Sequence, residues 1–136
     1  LYMIDGLYGT NNVGSNPVRW PSAPFNNGWT SSLFMSQDPV AIDSVGYDFV
    51  NAEWPDVVRY GHAPAPRYDM GGGAEDYLHE AALAHDPPSG TFYDPEHQGD
   101  VASLESLGVH EHWNNPDDKQ YSRNLGTGKG IELIRV

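Results

Sequence analysis

Leu33-Phe34-Met35-Ser36-Gln37-Asp38-Pro39-Val40-Ala41-Ile42-Asp43-Ser44-Val45 reads as a strand that stops at a polar triplet and turns into a helix. Asp38 stands at the N-cap, where a carboxylate accepts backbone N–H groups that the first helical turn leaves unbonded. Pro39 takes the first helical position, where its missing N–H costs nothing and its φ is already about −65°. Ala41, Ile42, Val45, Phe49, Val50 and Ala52 then recur at helical spacing, which predicts a helix over 39–54 closed by Pro55. A joint of this kind puts polar side chains at the carboxyl end of a strand, where open α/β sheets bind ligands.

Upstream, residues 1–5 form a short apolar run that ends in Asp5 and is bounded by Gly6, the pattern of a second strand. The Asn/Gly/Pro-rich stretch 6–31 lies between the two strands. Its aromatics Trp20, Phe25 and Trp29 favour a packed loop over disorder. The stretch is long enough for a crossover, so the two strands are expected to be parallel neighbours with Asp5, Ser36 and Asp38 on one rim. Such a crevice would face a cation or a polar ligand. The alternative is that Asp38 only caps a helix and Asp5 only a turn.

Downstream, a loop over 59–73 carries Pro64, Pro66 and three consecutive glycines. A second helix over 74–85 follows, with Glu75 and Asp76 in the first turn as the macrodipole prefers, and it stops at Asp86-Pro87-Pro88. A turn-rich stretch over 89–100, a short helical piece over 101–107 and an extended run over 109–113 come next. Two strands over 120–125 and 130–136 flank Gly126-Thr127-Gly128-Lys129 as a closing hairpin. The expected fold is therefore α/β, one domain over 1–136. It would have a small mixed sheet, two main helices, long Gly/Pro/Asn-rich loops and a C-terminal β-hairpin. The chain opens at Leu1-Tyr2-Met3-Ile4, already inside the first strand, and is read as part of a longer protein.

Nineteen acids against seven bases give a net charge of −12, which argues against nucleic acid and anionic membrane as partners. It suits a cation, a neutral small molecule or a glycan. No run reaches the roughly 18 apolar residues that a membrane-spanning helix needs. The chain has no cysteine, so it holds no disulfide, no thiolate metal site and no cysteine nucleophile.

His110-Glu111-His112 is the sharpest metal-like pattern. On extended backbone alternate side chains share a face, so His110 and His112 would converge while Glu111 points away. His79 or Glu80, from the second helix, would complete the set around a divalent ion such as zinc. The spacing is not the HExxH of a helical zinc hydrolase, and the competing reading is structural hydrogen bonding around Trp113. Asp86, Asp94, Glu96 and Asp100 supply oxygens that would suit calcium, or are simply solvated acids in a turn. Trp20 and Trp29 form a candidate sugar-stacking pair, against the commoner use of such rings in a core. The Gly126–Gly130 run fails the context of a phosphate loop, because no helix follows it.

The joint Ser36-Gln37-Asp38-Pro39-Val40-Ala41-Ile42-Asp43-Ser44-Val45, with Ile4-Asp5-Gly6 before it, resembles the C-terminal half of the DUF362 family. So do Tyr77-Leu78-His79-Glu80-Ala81-Ala82 and Ser106-Leu107-Gly108. Val109-His110-Glu111-His112-Trp113-Asn114-Asn115 and Tyr121-Ser122-Arg123-Asn124-Leu125-Gly126 are similar to the ending of a bacterial subset of that family. The resemblance implies an α/β domain of bacterial origin, often exported and hence periplasmic or extracellular. It also implies a missing N-terminal half as partner, and adds Arg123 to the ligand-binding candidates. Some relatives carry iron–sulfur modules, which a chain without cysteine cannot hold by itself. Three functions are carried forward: a divalent-metal or polar-ligand domain with hydrolytic or carbohydrate-directed chemistry, a non-catalytic glycan-binding module, and a structural part of a larger exported protein.

Overall fold

The computed structural model describes residues 1–10, 15–54, 74–94, 96, 98–99 and 104–136. Its elements run β1 (Tyr2–Gly6), β2 (Ser32–Ser36), α1 (Pro39–Glu53) and α2 (Ala74–Ala82), an α/β arrangement with two helices as the sequence implies. The predicted loop over 59–73 lies outside the described residues, as do 101–103 of the expected short helix; 104–107 are not helical.

The direction of the strands differs from expectation. β1 and β2 pair antiparallel, with Tyr2 opposite Ser36, Asp5 opposite Leu33 and Gly6 opposite Ser32. The connecting stretch is long enough for a crossover but doubles back on itself instead. Isolated bridges join Gly9 to Val18 and Trp20 to Gly28, and the Ser31 N–H donates to the Leu7 carbonyl at 3.1 Å. The connection is thus an elongated hairpin arm. A parallel pair would need it to cross a face of the sheet, usually as a helix, and none forms among the described residues of this stretch. Asp5 therefore lies at the opposite end of the ladder from Ser36, about 10 Å away by strand rise, and the shared rim does not exist.

Alternation along the strands sorts their side chains. Ile4 and Phe34 are half-buried beneath α1, where the Phe34 ring lies 5.5 Å from that of Phe49. Met3, Leu33 and Met35 point outward and are exposed.

Helix α1 is buried on two faces. Val45 and Phe49 enter the larger core with Trp20, Tyr121 and Ile131, while Val40 and Tyr47 meet Leu78, Ala81 and Ala82 of α2. Asp38 caps the helix as predicted, its Oδ1 accepting the Ala41 N–H at 2.9 Å. Trp20 is not a surface platform. It is 6% exposed, its ring 4.8 Å from Trp54 and 5.3 Å from Phe25, because the folded arm carries it into the core. Truncating a ring buried this way costs about 3–5 kcal/mol.

Helix α2 is shorter than predicted. It ends at Ala82 and closes through turns in which Leu83 N–H donates to the His79 carbonyl and Asp86 N–H to the Leu83 carbonyl. The C-terminal segment also departs from expectation, since 120–136 form turns and no strand ladder. The reason is Glu111, whose Oε1 accepts from Ser122 N–H, Ser122 Oγ–H and the Ile131 N–H. Those donors would otherwise pair across a hairpin. A single backbone–backbone hydrogen bond, Arg123 N–H to the Ile131 carbonyl at 3.2 Å, joins the two arms; their other direct links run through the side chains of Ser122, Arg123 and Asn124. No helix among the described residues is long and apolar enough to cross a membrane.

Candidate metal centre

The run 109–113 lies along helix α1 and is pinned to it at three levels. Asp38 Oδ2 accepts the Val109 N–H at 2.9 Å. Ser44 Oγ lies 2.8 Å from His110 Nδ1. Asp48 takes the Trp113 N–H on Oδ2 at 3.1 Å and meets His112 Nδ1 with Oδ1 at 2.7 Å. The lengths agree: ten helical residues rise about 15 Å and four extended ones span about 13 Å. Val40, Ser44, Tyr47 and Asp48 share a helix face by their spacing, so one side of α1 serves both α2 and this run.

Each ring nitrogen can be assigned from its partner. Ser44 donates its single hydroxyl proton to the Val40 carbonyl at 2.8 Å, so its oxygen must accept from His110 Nδ1–H. The His110 lone pair then resides on Nε2. That atom is buried and has no hydrogen-bond partner among the described residues. Burial, reinforced by the neighbouring His79 and His112, pushes the His110 pKa down to about 4, so the ring is neutral. On α2, His79 Nδ1 lies 3.0 Å from the Glu75 carbonyl, which can only accept, so Nδ1 is the donor there and Nε2 is the atom suited to ligate.

Glu75 and His79 are one helical turn apart and share a face of α2. The His79 and His110 rings lie 4.5 Å apart, centroid to centroid, and His110 and His112 5.0 Å apart. One ligand atom from each of Glu75, His79 and His110 falls within 4.8 Å of the other two, so the three can hold a metal ion. Zinc bonds of about 2.0–2.1 Å bring ligand atoms about 3.4 Å apart in a tetrahedron, closer than the 4.8 Å within which these atoms lie. Two imidazoles and a carboxylate suit zinc, whereas calcium takes six to eight oxygens.

Glu75 is 1% exposed and well supported. Tyr47 donates its hydroxyl to Oε2 at 3.1 Å, and His112 Nε2 lies 3.3 Å from Oε1. The Asp48 carboxylate hydrogen-bonded to it raises the His112 pKa above the usual imidazole value, against the opposing effect of burial, with Glu75 adding to the rise. Burial and the Glu75 charge push the Tyr47 hydroxyl up, so it remains a donor.

Of the residues singled out in the sequence, His79, His110 and His112 come together, and Glu111 points away as expected. Glu80 does not join them; it accepts from Ser89 N–H and Oγ–H at 2.7 and 3.1 Å. Glu75 was missed, although its four-residue spacing from His79 marks a shared face better than the adjacent Glu80 does. Ser36 and Asp38 act within the joint, Ser36 Oγ accepting the Asp38 N–H at 2.9 Å. Asp5 caps its own turn through the Leu7 N–H at 3.0 Å. Arg123 forms an exposed ion pair with Glu132 at 3.1 Å. Trp29 is 40% exposed and sits edge-on to Tyr8, not parallel to a second indole. Asp94 accepts the Gln98 and Gly99 N–H groups, and among the described residues its loop gathers no ligand cluster; Asp100 lies outside them. The chain matches no protein-family profile, no curated protein and no solved structure.

Proposed function

We propose that this chain is a divalent-metal-binding α/β domain whose ligands are Glu75 and the Nε2 atoms of His79 and His110, with zinc as the ion. The observation that carries the reading is the His110 ring. One nitrogen is fixed by a hydroxyl that has already donated its proton, and the other is buried, lacks a partner among the described residues and sits in the Glu75–His79 cluster. An orphaned buried nitrogen is costly unless something occupies it, and a cation with two further ligands at hand fits best. A bound ion would supply Lewis-acid polarisation of a substrate oxygen, which suits a hydrolytic role toward a neutral or cationic substrate given the net charge of −12. The joint on which the DUF362 resemblance rests would serve this site by holding Val109 and His110. Elemental analysis of protein purified without chelator tests the reading. Stoichiometric zinc, and a melting temperature lowered by EDTA, support it; no metal together with unchanged melting removes it.

A second reading rests on the outer face of the sheet. Leu1, Met3, Leu33 and Met35 are 83, 59, 54 and 60% exposed, as a segment packing against a further protein surface would leave them. Binding of an apolar dye that Met3→Ser and Met35→Ser abolish supports this reading, and absence of dye binding opposes it.

A further inference from the structure

We infer that His112, held by Asp48, is a positioning residue that orients the Glu75 carboxylate within the metal site and is not itself a ligand. The inference rests on the metal-binding reading of Glu75, His79 and His110. Three contacts carry it. Asp48 Oδ1 lies 2.7 Å from His112 Nδ1, His112 Nε2 lies 3.3 Å from Glu75 Oε1, and the Tyr47 hydroxyl donates to Glu75 Oε2 at 3.1 Å. Each Glu75 oxygen therefore has a hydrogen-bond partner, and the two together fix the plane of the carboxylate.

Asp48 is itself held on three sides. It accepts the Tyr121 hydroxyl at 2.8 Å and the Trp113 N–H at 3.1 Å besides meeting His112, and it is 4% exposed. The chain Tyr121–Asp48–His112–Glu75 thus runs from the larger core to a proposed ligand. His112 is suited to orient and unsuited to ligate, because both its nitrogens face carboxylate oxygens at hydrogen-bond distance. A ligating histidine must turn a lone pair toward the ion. Outer groups that orient ligands are commonly worth about 10–100-fold in metal affinity.

The test uses the 136-residue chain and Co²⁺ as a spectroscopic probe, with zinc affinity measured by competition. The His112 side chain is 41% exposed, so its replacement leaves the core in place. His112→Ala should weaken zinc binding about 10–100-fold while the visible Co²⁺ bands keep their positions. His112→Gln keeps an N–H donor in reach of Glu75 and should recover most of that loss. The melting temperature of each metal-free variant serves as the folding control. Unchanged affinity in His112→Ala overturns the inference. So does a loss in His112→Gln equal to that in His112→Ala with shifted Co²⁺ bands, which would make His112 a ligand. If the unaltered chain binds neither ion, the metal-binding reading fails and the inference falls with it; if it binds both, only the behaviour of the variants bears on His112.

Discussion

Asp38 and Val109, 71 residues apart, are joined by a 2.9 Å hydrogen bond from the Val109 N–H to the carboxylate that also caps helix α1. One side chain thus starts the central helix and fixes the run that carries His110. Its two oxygens have separate duties, which makes them separable by substitution. Asp38→Ala should cost about 2–3 kcal/mol, the sum of a lost N-cap and a lost charge-assisted bond. Asp38→Asn keeps an oxygen for the cap but offers Val109 an amide in place of an acceptor, so it should fall between. Urea denaturation measures both; an Asp38→Asn variant as stable as the unaltered chain would show that the Val109 bond contributes nothing.

Gly108 lies against the same carboxylate. A Cβ built there would come within 2.8 Å of Asp38 Cγ, held by the cap and the Val109 bond, and 2.9 Å of Val40 Cβ, held by the helix backbone. Gly108→Ala should destabilise the fold by about 1–3 kcal/mol and weaken metal binding together, because His110 shifts with the displaced run. Thermal melting and zinc competition on one preparation check this; full affinity would mean that His110 is held from elsewhere.

Ser44 is fully buried and sets the His110 tautomer. In Ser44→Ala the Nδ1–H loses its acceptor, so long-range ¹H–¹⁵N correlation spectra should show the Nδ1–H form giving way to a mixture. Stability should fall by about 1–3 kcal/mol, the cost of leaving a buried donor unbonded. A wild-type spectrum dominated by the Nε2–H form would contradict the assignment.

How much of this was legible in the sequence follows from how local each signal was. Asp38 and Pro39 encode a helix start within two residues, and α1 begins where they place it. Strand direction is not local. The alternation in Tyr2–Gly6 and Ser32–Ser36 reads the same for parallel and antiparallel pairing, and the folding of the arm between them decided it. The histidine pair was readable from its spacing, but Glu75 resembled an ordinary first-turn acid, and its role depends on α2 meeting residue 110. The hairpin expected at the C terminus was undone by Glu111, a residue from an earlier segment that takes the N–H groups a ladder needs. Trp20 looked like a loop residue because nothing in its neighbours tells that the arm folds inward.

Tyr121 is fully buried and donates to Asp48 at 2.8 Å. Burial, with the Asp48 charge next, pushes its pKa far above the usual tyrosine value of about 10. The unfolded chain loses this proton from about pH 10 while the folded chain keeps it, so stability is fully present below that pH and declines as pH rises beyond it. Ultraviolet titration should leave this tyrosine unionised until the protein unfolds, and Tyr121→Phe should flatten the alkaline decline. Reversible ionisation of Tyr121 in the folded state would contradict its placement.

Whether Glu75, His79 and His110 share one ion is decided by anomalous diffraction at the zinc edge from crystals grown with zinc. The account predicts a single strong peak about 2.0–2.2 Å from both Nε2 atoms and a Glu75 carboxylate oxygen. A peak ligated by His112 in place of His110, or zinc bound only elsewhere on the acidic surface, would contradict it.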